Sequence, residues 1–229
     1  MTLLRNFATV GGATLLSRLL GFARDVLIAG ALGAGPIADA FVAAFRLPNL
    51  FRRIFAEGAF NAAFVPLFAR TLEGDGTREH REEARAFAAE ALAGLTLVLL
   101  VVSGLAIVFM PALTLALAPG FASDPEKFDL TVLLSRICFP YLFCVSLVAL
   151  MSGVLNGFRR FAAAAFAPVA LNVVLIITLG LVYASGWAGS ATAGLALAIG
   201  VACAGLVQLA LLVIALRRLD FRIPLRRPR

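Results

Sequence analysis

Between Leu15 and Phe60 the chain sets eight ionisable side chains, Arg18, Arg24, Asp25, Asp39, Arg46, Arg52, Arg53 and Glu57, among Leu, Ile, Val, Phe, Ala and Gly. Arginine offers a rigid fork of donors that matches phosphate oxygens, and the acids can hold those forks while no ligand is present. The eight formal charges are five positive and three negative, which leaves an excess of two cations. A charge at the centre of a bilayer costs ~3 kcal/mol or more, so the excess points to an anionic visitor. Internal pairing is the competing use of these charges. Arg53 and Glu57 stand at i,i+4, and with Arg46 they remain open between pairing and binding; Arg18, Arg24 and Arg52 favour a ligand role. Chemistry of other kinds lacks its residues: the lone His80 lies in a charged loop and no acidic set has metal-ligand spacing. Neither a metal nor a cofactor is expected, and a membrane enzyme is the weaker reading.

The elements that carry these charges are helices inside a membrane. On the first, Gly11, Thr14, Ser17, Arg18, Gly21, Arg24 and Asp25 recur at spacings of three and four and form one polar stripe, with Leu15, Leu16, Leu19, Leu20, Phe22 and Val26 around the rest. The apolar arc is expected to face lipid, and the stripe to face protein or a water-filled cavity. On the second helix Asp39, Arg46 and Arg53 are seven apart and share a face, with Asn49, Glu57 and Asn61 close to it and Arg52 offset by one position. A first helix starting near Phe7 puts Arg18 roughly 17 Å in, near the middle of a ~30 Å hydrocarbon core.

Composition fixes the class. Of 229 residues 62% are hydrophobic and the mean hydropathy is +0.98, which describes a polytopic all-α membrane protein. The formal charge of +7 is carried by arginine in short loops, with Lys127 the only lysine; this is membrane orientation rather than nucleic-acid binding. Cys138, Cys144 and Cys203 lie in apolar runs and read as packing residues. Six transmembrane helices are expected, near 7–32, 37–70, 86–110, 130–155, 161–183 and 191–216, with a basic tail over 217–229. The second is too long to cross straight, so breaks are expected at Pro48, Glu57-Gly58 or Pro66, while Pro111 ends the third. Pro140 and Pro168 read as packing kinks, and Arg136, near its helix end, as a snorkelling side chain. Arg5, the 70–85 loop, Arg159-Arg160 and the tail fall on alternate connections, whereas Lys127 is outnumbered by Asp124, Glu126 and Asp129. Both termini are therefore expected in the cytoplasm.

Two stretches resemble a known family. Ser17-Arg18-Leu19-Leu20-Gly21-Phe22-Ala23-Arg24-Asp25 and Phe45-Arg46-Leu47-Pro48-Asn49-Leu50-Phe51-Arg52-Arg53-Ile54-Phe55-Ala56-Glu57-Gly58-Ala59-Phe60 look like the opening of the MurJ (MviN) family, the bacterial lipid II flippases of peptidoglycan synthesis. Ala62-Ala63-Phe64-Val65-Pro66, Ala118-Pro119-Gly120-Phe121 and Phe166-Ala167-Pro168-Val169-Ala170-Leu171-Asn172 are similar to later stretches of it. The resemblance implies two pseudo-symmetric six-helix lobes around a central cavity, the exporter-type MOP/MATE-like fold, in the bacterial cytoplasmic (inner) membrane. It implies lipid II, the undecaprenyl-pyrophosphate-linked disaccharide-pentapeptide, moved from the inner to the outer leaflet by alternating access. Residues that the family needs for transport match at Arg18, Arg24, Asp39 and Arg52, and Ser17, Asp25, Asn49 and Glu57 fall in the same implied substrate-binding cavity. The family chain is about twice as long, so residues 1–216 read as the N-terminal lobe and 217–229 as a linker to a missing second lobe, the partner that carries a further cavity cation. The alternatives are a related exporter lobe for another polyprenyl-linked glycan or amphiphile, and a partner-binding membrane scaffold.

The orientation is testable by cysteine labelling: cysteines at Ser123 and Gly189 are expected to react from the periplasm, and those at Thr77 and Gly157 are not. The reversed pattern sinks the orientation.

Overall fold

A computed structural model describes residues 3–52, 59–72, 78–221 and 223. They form helices α1 (Leu3–Leu32), α2 (Pro36–Arg52), α3 (Ala59–Leu72), α4 (Arg78–Val108), α5 (Met110–Leu117), α6 (Pro125–Cys138), α7 (Pro140–Gly157), α8 (Phe161–Ala184) and α9 (Ala191–Arg217), with a 3-10 turn over Pro119–Ser123. No strand occurs among the described residues. The stretches His80–Val108, Pro125–Gly157, Phe161–Ala184 and Ala191–Arg217 are long and apolar enough to cross a membrane, by length and composition alone. α1 is as long, but Arg18, Arg24 and Asp25 interrupt its apolar run; α2 and α3 are 17 and 14 residues.

The contacts sort the helix ends into two ends of a bundle. Thr9, Arg159, Phe161 and Leu219 meet at one, and there the Phe68 ring stacks edge-on to Phe158 and Phe221. At the other, the Gly189 N–H donates to the Ala31 carbonyl at 2.8 Å and Lys127 pairs with Asp39. α1 thus runs parallel to α8, and α2 to α6, while α8 and α9 are antiparallel. Arg81, Arg85, Arg159, Arg160 and Arg218 collect at the first end, and Asp39, Asp124, Glu126 and Asp129 at the second.

Packing explains which helix is central. Over its most apolar window Pro125–Gly157 is 72% buried, against 33% for Phe161–Ala184, so α6 and α7 form the middle of the bundle. One buried cluster joins Phe64, Phe68, Leu99, Leu150 and Phe221 around α7, and a second joins Phe41, Leu134, Leu175 and Val201 between α2, α6, α8 and α9. α9 approaches both neighbours through missing side chains. A Cβ on Gly200 would lie 2.7 Å from the Thr178 hydroxyl, and one on Gly205 would lie 2.9 Å from Cys144 Cβ. Small residues of this kind are how helices come together where lipid is as apolar as leucine. The outer surface is apolar: Phe22 is 73% exposed, with Leu19, Leu105, Ile177, Leu181 and Leu206 also open. In water that surface would aggregate; in a bilayer it is solvated.

The prolines behave differently from the expectation. Pro48 and Pro66 lie inside α2 and α3, and the Glu57-Gly58 pair falls outside the described residues. Pro111 does not end the third long helix; the chain breaks at Phe109 and continues with Pro111 in the first turn of α5. Proline lacks the N–H that would have met the carbonyl four residues back, here Ile107. Arg136 Nε donates to that carbonyl at 3.1 Å. Arg136 therefore does not snorkel: it replaces a helix rung that Pro111 removed. The expected polar loop over 71–85 is partly helix, since α4 begins at Arg78, and the tail is docked as far as Phe221, which is fully buried.

Two labelling positions also need moving. A Cβ on Gly157 would lie 2.9 Å from Phe68 and Gly189 has φ +77, so cysteines at Arg160 and Ala188 report on the same turns without strain.

The repair by Arg136 makes a measurable coupling. Arg136→Leu is expected to lower stability by about 1–2 kcal/mol, the worth of a hydrogen bond from a charged donor. In a Pro111→Ala background, where the backbone N–H returns, the same change is expected to cost less than about 0.5 kcal/mol. Thermal unfolding of the four members of the cycle in detergent checks this; equal costs in both backgrounds would refute the repair.

Candidate functional site: an arginine-lined cavity between α1 and α2

α1 rests chiefly on α8 and α2 chiefly on α6, so the two charged helices diverge. Between them lies a cavity of about 760 Å³ lined by Arg24, Asp25, Asn49, Arg46 and Arg52 together with apolar side chains of α1 and α2 and Leu117 of α5. Five polar residues in an apolar wall suit a ligand whose head is charged and whose body is not.

The polar stripe of α1 divides in two. At ~100° per residue, Ser17, Gly21 and Arg24 centre on one direction, and Thr14, Arg18 and Asp25 on another about 80° away. The first group docks on α8 at Asn172, which is 4% exposed. Asn172 Nδ2 donates to the Ser17 carbonyl at 2.9 Å and lies 3.4 Å from Ser17 Oγ, while its Oδ1 accepts from Arg24 Nη1 at 2.8 Å. Gly21 faces this amide, and a Cβ there would meet Nδ2 at 3.6 Å, an ordinary van der Waals contact. The second group is open, with Arg18 exposed and the Asp25 side chain 65% exposed.

Arg24 is accordingly the most constrained cation of the site. Its side chain is 16% exposed; Nε and Nη2 donate to Asp25 Oδ1 at 3.0 and 2.7 Å, and Nη1 to Asn172. On α2, Asn49 Nδ2 donates to the Phe45 carbonyl at 2.9 Å, next to the rung lost at Pro48. Arg46 is exposed, lines the cavity and has no ion-pair partner among the described residues. Arg52 is half-buried and lines the same space.

Other expected site residues lie elsewhere. Asp39 does not line the cavity: its Oδ2 meets Lys127 Nζ at 2.5 Å, at the acidic end. Lys127 in turn sits 4.1 Å above the Phe121 ring. The expectation that Asp39 holds a cavity arginine is thereby corrected; the lining itself carries three arginines and one carboxylate, an excess of two cations. Ser17 and Arg18 lie outside the cavity lining, and Arg53 and Glu57 fall outside the described residues. Asn172 and Lys127 were not expected at the site. Each had a signal: a lone amide deep in an apolar run must find a partner, and the only lysine sits in an acidic loop.

Comparison with known proteins identifies the family of the chain. The family model described as "Lipid II flippase MurJ" matches residues 28–229. A "Probable lipid II flippase MurJ" of Rhizobium meliloti (strain 1021) is 53% identical over 230 residues, covering 100% of this chain and 42% of its own length. That of Rhizobium tropici is 51% identical with the same coverage, and the "Lipid II flippase MurJ" of Burkholderia cenocepacia is 45% identical over 77% of this chain and 33% of its own length. A solved structure, "Lipid II flippase MurJ, inward closed conformation", superposes with a TM-score of 0.68 at 26% identity, covering 95% of this chain and 43% of that one. The chain thus spans about two fifths of the length of the Rhizobium relatives, 42%. Arginines held within an apolar helical bundle, a family match over most of the residues and relatives aligned along the full chain lead to one conclusion: this chain belongs to the lipid II flippase MurJ family.

Proposed function

We propose that this chain is the N-terminal lobe of a lipid II flippase, and that the cavity between α1 and α2 forms its half of the path for the substrate's pyrophosphate. The observation that carries the reading is the convergence of Arg24, Arg46 and Arg52 on one space walled by apolar side chains. A pyrophosphate carries several acceptor oxygens and little else that a dry wall could recognise, and guanidinium forks supply dispersed donors for it. Transport requires that the site release what it binds, and the Asp25 carboxylate beside Arg24 offers its guanidinium a competing partner. Arg18, exposed ~9 Å along α1 from Arg24, extends the cationic track, and Asn49 lines the cavity from α2.

On this reading the chain crosses the cytoplasmic membrane six times with its basic end in the cytoplasm, as the distribution of arginine favours. The second lobe supplies the opposite wall, and the two alternate in access to carry the headgroup from the inner to the outer leaflet. The protein then acts as a transporter and leaves the substrate chemically unchanged. Asp39 acts at the periplasmic end through Lys127, and Ser17 acts by seating Asn172 under Arg24.

Because Arg46 has no ion-pair partner among the described residues, it separates binding from folding. In the full-length protein Arg46→Ala is expected to reduce lipid II flipping at least about tenfold, the worth of one charge-assisted hydrogen bond, with unchanged thermal stability. Arg46→Lys is expected to restore part of it, since charge returns without the fork. Arg24→Ala/Asp25→Ala is expected to remain inactive although the pair is removed together. Normal flipping by that double variant, measured in proteoliposomes, would end the reading in favour of an internal salt bridge.

A further inference from the structure

A second cavity, of about 350 Å³, lies at the basic end between the α7–α8 turn and the last turn of α9, lined by Arg159, Arg160, Arg218, Thr9 and an apolar floor that includes Leu155 and Ala215. We propose that it is a binding site for the phosphate of an anionic phospholipid headgroup, separate from the cavity between α1 and α2 and independent of the transport reading.

Three arginines, all of them exposed, line the space, and no carboxylate does. None of the three makes an ion pair among the described residues, whereas Arg81 and Arg85 at the same end lie over the Phe158 and Phe221 rings. Charge orientation alone would scatter arginines over this end; here three of them share one space. At ~30 Å³ per water molecule the cavity holds about ten, enough for a phosphodiester.

The backbone is shaped to hold the charges where they are. Arg159 has φ 55, the left-handed conformation at a helix end that usually selects Gly or Asn. The Arg160 N–H closes the turn on the Leu155 carbonyl at 2.9 Å. α8 then begins with no side-chain cap and no acidic residue in its first turn. Phe161, Ala162 and Ala163 line the cavity, and helix-start N–H groups there add to the positive potential that the arginines create.

The choice of a lipid over a free anion comes from the floor and the approach. Inorganic phosphate would cover the guanidinium groups and leave the apolar floor bare. A phospholipid covers both, because the surface beyond the cavity is acyl-compatible: Ile214, one turn before Arg218, is 51% exposed and Phe166 is 40% exposed. Basic pockets between helices on the basic side of a bundle are suited to such headgroups.

The test is native mass spectrometry of the full-length protein, delipidated in detergent and titrated with phosphatidylglycerol, phosphatidylcholine or inorganic phosphate. Phosphatidylglycerol is expected to bind at least about tenfold more tightly than phosphatidylcholine, and to resist an equal concentration of inorganic phosphate. Arg159→Gln/Arg160→Gln/Arg218→Gln is expected to weaken it on the order of 100-fold, about fivefold per arginine. Arg70→Gln, also at the basic end, is expected to leave it unchanged. Ala163→Phe, which fills the cavity without touching charge, is expected to abolish the preference between the two lipids, and thermal unfolding shows that each variant is folded. Retained affinity in the triple variant or in Ala163→Phe would overturn the proposal. So would equal binding of the two lipids, or displacement by phosphate that marks a simple anion site.

Discussion

A guanidinium largely withdrawn from solvent sets the terms on which α1 can pack. Arg24 has five N–H donors and no water in a bilayer core to receive them. Asp25 takes two of the contacts and Asn172 of α8 takes a third. The same amide returns a donor to the Ser17 carbonyl, so α1 is pinned to α8 by a group that must stay buried and must stay satisfied. At the other side, Asp39 and Lys127 hold α2 to the start of α6, and the Phe45 and Tyr141 rings lie 6.2 Å apart between α2 and α7. With each charged helix committed to a different neighbour, a gap between them is the geometric result.

Arginine serves several physical ends in this chain, and sequence context alone does not separate them. Arg24 is paired, Arg46 is open to the cavity, Arg136 supplies a missing backbone donor, and Arg85 lies 5.5 Å from the Phe221 ring centroid while donating to the Asp220 carbonyl. What differs is the nearest acceptor, and that is a property of the neighbouring helix. A helix-end arginine that reads as a snorkelling side chain thus becomes a structural donor once Pro111 is opposite it.

The same distinction governs how much could be read in advance. Helices were expected over 161–183 and 191–216, and α8 and α9 run Phe161–Ala184 and Ala191–Arg217; long apolar runs bounded by Gly-rich or basic turns carry their own limits. The membership of the cavity was legible in part: Arg24, Asp25, Asn49 and Arg52 sit on local charged patterns and line it, whereas Ser17, Arg18 and Asp39 do not. The partner of Asp39 was not, since Lys127 is 88 positions away in sequence and periodicity says which residues share a face without saying what faces them. The prolines misled for a related reason. A local rule assigns each a break, but Pro48 and Pro66 stay within helices, and at Pro111 the chain breaks two residues earlier and then resumes as helix.

The bond from Arg136 to Ile107 also ties two bends together. The chain turns at Phe109 between α4 and α5, two residues past the accepting carbonyl, and at Phe139 between α6 and α7, three residues past the donor. Straightening either bend would pull the guanidinium from the carbonyl and leave a bare polar group in an apolar wall. The bond therefore couples the two joints. Since Leu117 at the end of α5 borders the arginine-lined cavity, the width of that cavity is geared to a joint in the middle of the bundle.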